Sequence, residues 1–169
     1  MSLILDESKL EESIQSLATV IAKKIQPNTI LLGIELKGKL LATRVSEKIN
    51  KIKSIKLKVG LLDVNLFRPL NKESYRNVGE SEISFSLKNK HIILISPFII
   101  TGQSIQAALV ALNDYDDPDS IECACLLANS KLTRPIYINY IANSKIQAKK
   151  SFLINFFESD GEDSIAENK

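Results

Sequence analysis

Thr101-Gly-Gln-Ser104 is a short polar stretch between a purely apolar run and an amphipathic one, and its residue types suit the holding of an anion. Where a strand turns into a helix, the first helical amides lack intrahelical acceptors and carry the positive end of the helix dipole. A glycine in the turn lets a ligand approach the backbone, and nearby hydroxyls add donors. A phosphate therefore fits the amides of Gly102, Gln103, Ser104 and Ile105 together with the hydroxyls of Thr101 and Ser104. The same residues also read as an ordinary helix start, with Thr101 or Ser104 as the cap and Gly102 in a tight turn. On the loop alone both readings stand.

The elements that must position this loop follow from periodicity. Ile92 to Ile95 form an unbroken apolar run rich in β-branched residues, the pattern of a central parallel strand covered on both faces. After the loop, Ile105, Ala108, Leu109 and Leu112 fall at i, i+3, i+4 and i+7, which predicts a helix with one buried stripe. Near the start, Leu3-Ile-Leu reads as a short first strand or a docking segment. Leu10, Ile14, Leu17, Ala18, Ile21 and Ile25 then predict a helix, with Ser8 and Glu11 as a capping box and Pro27 as the stop. Thr29 to Ile34 is a second buried strand, and Glu35-Leu-Lys-Gly38 turns into a helix carrying Leu41, Val45 and Ile49.

Leu57 to Phe67 alternates as a long strand ended by Arg68-Pro69, and Asn71 to Glu82 is a polar loop. Ile121 to Ala128, Ile136 to Ile141 and Phe152 to Phe157 are further strands, and the acidic stretch 158–169 is expected to fray. Strands alternating with helices predict one α/β domain with a mostly parallel sheet flanked by helices.

Composition narrows the function. A chain of 169 residues, 44% hydrophobic and 25% charged, suits a single core. No apolar run approaches a membrane span and the opening residues lack the pattern of a secretory signal, so no membrane partner and a cytoplasmic location are the expectations. A net charge of +2 makes no global case for nucleic acid. Locally, Lys37 to Lys58 holds eight basic residues against the one acid Glu47. That segment reads either as a polyanion surface or as a solvated helix face, the second favoured because no aromatic residues interleave.

Cys123 and Cys125 lie too close for a disulfide and lack metal-site spacing, so they are expected to be buried and to face one side of a strand. The aspartates between Asn113 and Asp119 fall where a crossover helix returns to the edge of the sheet away from ligand sites, which makes them a solvated turn. His91, the lone histidine, begins its strand at that same remote edge, where catalysis is not expected.

The order of strand, two-residue position, apolar triplet, Thr-Gly and helix resembles the phosphoribosyl-pyrophosphate loop of type I phosphoribosyltransferases. In that family an adjacent acidic pair holds the ribose hydroxyls and the Thr-Gly end holds the 5′-phosphate. Leu32-Gly-Ile-Glu-Leu-Lys-Gly38, Val59 to Arg68 and Arg134 to Tyr140 extend the likeness along nearly the whole chain. They are collinear with segments of the bifunctional pyrimidine operon attenuation regulator and uracil phosphoribosyltransferase family.

The resemblance implies a type I phosphoribosyltransferase fold over residues 1–157, with a hood loop at about 68–84. It implies a pyrophosphate loop of Glu35, Leu36, Lys37 and Gly38, where Glu35 adds a negative charge and Lys37 reads equally well as a solvated loop lysine, and phosphate contacts from Arg68, Lys72 and Arg76, which read equally well as solvated loop charges. It further implies a phosphate-bearing small molecule or nucleotide as ligand, transfer of phosphoribosyl to uracil with Mg²⁺ when active, leader RNA as a partner, and a homo-oligomer, dimeric or larger.

Departures qualify it: Ser96 and Pro97 stand in place of the acidic pair, Gln103 in place of a basic residue, and Ala128-Asn129 in place of an Asp-Arg pair. The expectation is a catalytically impaired nucleotide- or phosphate-binding regulator, with no cofactor certain. An active uracil-type transferase is the first alternative and an RNA- or protein-binding module the second.

Overall fold

Five strands and two groups of helices set the framework in a computed structural model that describes residues 2–68, 79–144, 146 and 152–167. In chain order the elements are β1 (Ser2–Leu5), α1 (Glu7–Ala22), β2 (Thr29–Ile34), α2 (Glu35–Lys53), β3 (Lys58–Leu62), β4 (His91–Ile99), α3 (Gln103–Ala111), β5 (Ser120–Ala128), β6 (Tyr140–Ile141), β7 (Phe152–Asn155), α4 (Phe157–Asp160) and β8 (Ser164–Glu167). The main sheet is parallel throughout, in the order β3-β2-β4-β5-β6. A smaller antiparallel sheet, β1-β8-β7, joins the two ends of the chain.

The apolar run of β4 is continuous because both of its faces are covered. Ile93 and Ile95 pack with Leu10, Ile14, Leu41, Val45 and Ile49 of α1 and α2, while Ile92 and Leu94 pack with Ile105, Ala108 and Leu112 of the α3 side. Side chains alternate across a strand, so a strand between two helical layers carries no polar face. Cys123 and Cys125 both lie on the α3 face, as expected of residues two apart in a strand. Burial pushes their thiols up, to about 11 and about 12.

Several expectations need correction. Helix α1 is capped by Asp6, whose carboxylate accepts from the Lys9 amide at 3.0 Å, and not by Ser8. The reason is that Asp6 leaves β1 in an extended conformation, which an N-cap requires. The long strand 57–67 stops at Leu62, because Asp63 accepts from the Asn65 amide and turns the chain into a 3₁₀ turn over Asn65–Phe67. Leu109 is exposed, and the buried residues of α3 are Ile105, Ala107, Ala108 and Ala111.

The expected strand 136–141 pairs only at Tyr140–Ile141, and β7 ends at Asn155 because Phe156 enters the core. The acidic C-terminal segment does not fray through residue 167. Its residues build α4 and β8, with Ile165 fully buried. The 69–78 part of the polar loop, with Lys72 and Arg76, lies outside the described residues. At its far end Glu82 pairs with Leu61 through both backbone bonds, which draws residues 79–84 onto the edge of β3.

Candidate phosphate-binding site

Parallel strands send every β-to-α loop to one edge of the sheet, and neighbouring strands place their loops side by side there. The turn from β2 into α2 and the turn from β4 into α3 are therefore adjacent, since β2 and β4 are paired. The contact is tight: a Cβ on Gly38 would stand 2.6 Å from the carbonyl oxygen of Ile95, so glycine at 38 is required by helix-to-strand packing. In the second turn Gly102 is the N-cap of α3, in the left-handed region at φ 86°. The Gln103 amide donates to Thr101 Oγ1 at 3.2 Å, so the Thr101 hydroxyl serves as a local cap. The loop after β5 braces the turn, with Thr133 donating its amide to the Thr101 carbonyl at 3.1 Å and Asn129 donating to Ile99.

Arg68 ties the two turns together. Its Nη2 donates to Ser104 Oγ at 2.8 Å, and its Nη1 pairs with Glu35 Oε1 at 2.9 Å. Its Nε is buried and has no hydrogen-bond partner among the described residues. A guanidinium at the first turn of α3 sits against the positive end of that dipole, and the acid that balances it, Glu35, comes from the neighbouring helix. Glu35 has φ 58°, a left-handed conformation that is uncommon for a residue with a side chain. What this arrangement can do chemically is hold an anion between the first turn of α3, the Ser104 hydroxyl and the Arg68 guanidinium.

The other expected site residues fall differently. Ser96 and Pro97 are buried within β4, and Ser96 donates its hydroxyl to the Phe98 carbonyl at 2.9 Å. Phe98 stacks at 5.3 Å on Phe152 of the small sheet, which closes that flank with aromatic surface. These positions supply no carboxylate for Mg²⁺, and the described residues contain no group of three or more His, Cys, Asp or Glu able to hold a metal. The donor set does not fit the ion the resemblance implies.

Lys37 turns to the C-terminal segment, where Ser159 Oγ accepts from it at 2.9 Å and Asp160 pairs with it. Gln103 and Leu36 are exposed. The basic stretch of α2 is largely matched by acids: Lys39 pairs with Glu82, Lys48 with Glu11, and Arg44 with both Glu158 and Asp163. Ser159, Asp160 and Glu82 escaped the sequence reading because they meet their partners from far along the chain, Lys37 and Asp160 being 123 residues apart.

Solved structures share the parallel sheet and its flanking helices. The chain superposes on hypoxanthine phosphoribosyltransferase from Staphylococcus aureus with a TM-score of 0.70, over 99% of this chain and 92% of that one, at 17% identity. The enzyme of the same name from Trypanosoma cruzi gives 0.70 at 13% identity, over 98% and 94%.

The family description "Phosphoribosyl transferase domain" matches residues 4–158, so the chain belongs to the phosphoribosyltransferase family. Among its relatives are proteins named "Bifunctional protein PyrR": that of Nostoc punctiforme is 30% identical over 96% of this chain and 93% of its own length, and that of Elusimicrobium minutum 34% identical over 96% and 94%.

Proposed function

We propose that this chain is a nucleotide- or phosphate-binding regulator of pyrimidine metabolism, built on the phosphoribosyltransferase fold and impaired in transfer chemistry. One observation carries the reading: Arg68 is held on Ser104 at the start of α3, while Ser96 and Pro97 are buried and offer no carboxylate for ribose or metal. Losing charged acceptors for two ribose hydroxyls removes about 1.5–3 kcal/mol for each hydrogen bond to a charged group. Binding of the 5′-phosphate is retained and activation of the sugar is lost. The pyrimidine assignment leans on the PyrR relatives, and a homo-oligomer is the assembly proposed with it.

Calorimetry with phosphoribosyl pyrophosphate, with and without Mg²⁺, tests the reading. We expect weak binding that Mg²⁺ does not enhance, together with no product in a radiolabelled uracil assay. Tight Mg²⁺-dependent binding or uracil turnover would overturn it in favour of an active transferase.

A further inference from the structure

The two halves of the basic stretch differ. Lys39, Arg44 and Lys48 are paired with acids, whereas Lys51, Lys53, Lys56 and Lys58 pair with none among the described residues. Lys56 and Lys58 line an open cavity of about 680 Å³. It is remote from the Thr101 turn. Lys58 and Val59 begin a strand parallel to β2, which is itself parallel to β4, so they lie at the edge of the sheet opposite the β-to-α loops.

The cavity exists because a ladder is left unfinished. Segment 79–84 bonds to β3 where Glu82 meets Leu61, and the same antiparallel register would set Val59 opposite Ser84 and Lys58 opposite Phe85. Among the described residues those backbone bonds are not made. Ser84 and Phe85 stand as the far wall, with Lys58 Nζ 5.4 Å from the centre of the Phe85 ring. Leu57, Val59 and Phe85 supply apolar surface, and Thr43, Glu47 and Asn50, at i, i+4 and i+7 along α2, supply a polar wall.

We infer that this cavity is a second binding site, for a small amphipathic anion: a flat apolar body bearing one anionic group. Its volume is that of small-molecule pockets, roughly 300–1,000 Å³. The Phe85 ring and the aliphatic walls take the body, and two lysines against the single acid Glu47 leave the lining positive. An added peptide strand does not fit, because Phe85, with Lys58 over its ring, stands where such a strand would pair with β3.

The test is fluorescence titration of the full chain with anilinonaphthalene sulfonate, a flat anion that brightens in apolar surroundings. We expect saturable binding of one dye per chain. Lys56→Gln combined with Lys58→Gln should weaken it about tenfold, and Glu47→Gln should strengthen it about threefold, a sign that a purely apolar patch would not give. Ser84→Phe, which fills the cavity from its wall, should abolish binding. All four side chains are exposed, so the variants should keep the wild-type midpoint in urea. Naphthoate should displace the dye, whereas acetate and inorganic phosphate should not. Absence of saturable binding, displacement by inorganic phosphate, or an affinity unchanged in the charge variants or in Ser84→Phe would overturn the site.

Discussion

Arg68 brings a positive charge to the start of a helix that already has one, and among the described residues Glu35 is the acid paired with it. A fixed cation beside the first amides of a helix is an arrangement that an anion can complete. Arg68→Gln should therefore weaken inorganic phosphate binding about tenfold or more by calorimetry. It should change stability by no more than about 1 kcal/mol in urea titration, because the Glu35 side chain is partly exposed. Gly102 makes a sharper demand. At φ 86° any side chain is strained, and a Cβ would stand 3.0 Å from Arg134 Cβ and 3.1 Å from Ile136 Cγ1. Gly102→Val should cost about 1–3 kcal/mol and abolish phosphate binding, with circular dichroism retaining the helical signal. Phosphate binding unchanged in this variant would remove the site from the Thr101 turn.

At the scale of elements, the C-terminal segment clamps α2. Arg44 donates Nε to Glu158 at 2.8 Å and its two terminal nitrogens to Asp163 at 2.7 and 2.8 Å, with the guanidinium over Phe156 at 4.9 Å. Arg44 and Asp163 are largely buried, so Arg44→Met strands an acid; a loss of about 2–4 kcal/mol in urea unfolding is expected. The same clamp sets an acid limit. Hydrogen bonds from Arg44 hold the Glu158 and Asp163 carboxyls below their ordinary values, and Lys37 holds Asp160 down to about 2. Carboxyls depressed in the folded state add stability that is complete above their unfolded values and is lost as pH falls through the folded ones. Thermal melts should be flat above about pH 5 and should fall steadily toward pH 2. In Arg44→Met that acid slope should be shallower.

The whole molecule depends on joining its ends. Strand β8 pairs with both β1 and β7 and inserts Ile165 into the core that contains Phe156 and Ile154. A chain ended at residue 157, the boundary the sequence suggests, would expose two strand edges and that apolar patch. It should aggregate or unfold at lower urea than the full chain, and a truncated chain of unchanged midpoint would contradict this account of the small sheet.

What the sequence by itself determined were the features whose cause lies within a few residues. The β-branched run of β4 and the stripe of α1 are local patterns with one physical solution, and collinear motifs were enough to recognise the family. Local pattern misjudged places where two causes compete over short distance: Asp6 in place of Ser8 as a cap, and the Asp63 turn that ends β3 early. The tertiary structure alone decided which charges meet. Arg68 reaches Ser104 across 36 residues and Lys37 reaches Asp160 across 123. Such pairs leave no periodic trace, because a surface lysine and a paired one look alike until the sheet brings its loops to one edge. The acidic tail has the composition of a disordered end and yet folds, because the partners it needs, Arg44, Lys37 and the free edges of β1 and β7, exist only once the rest of the chain is in place.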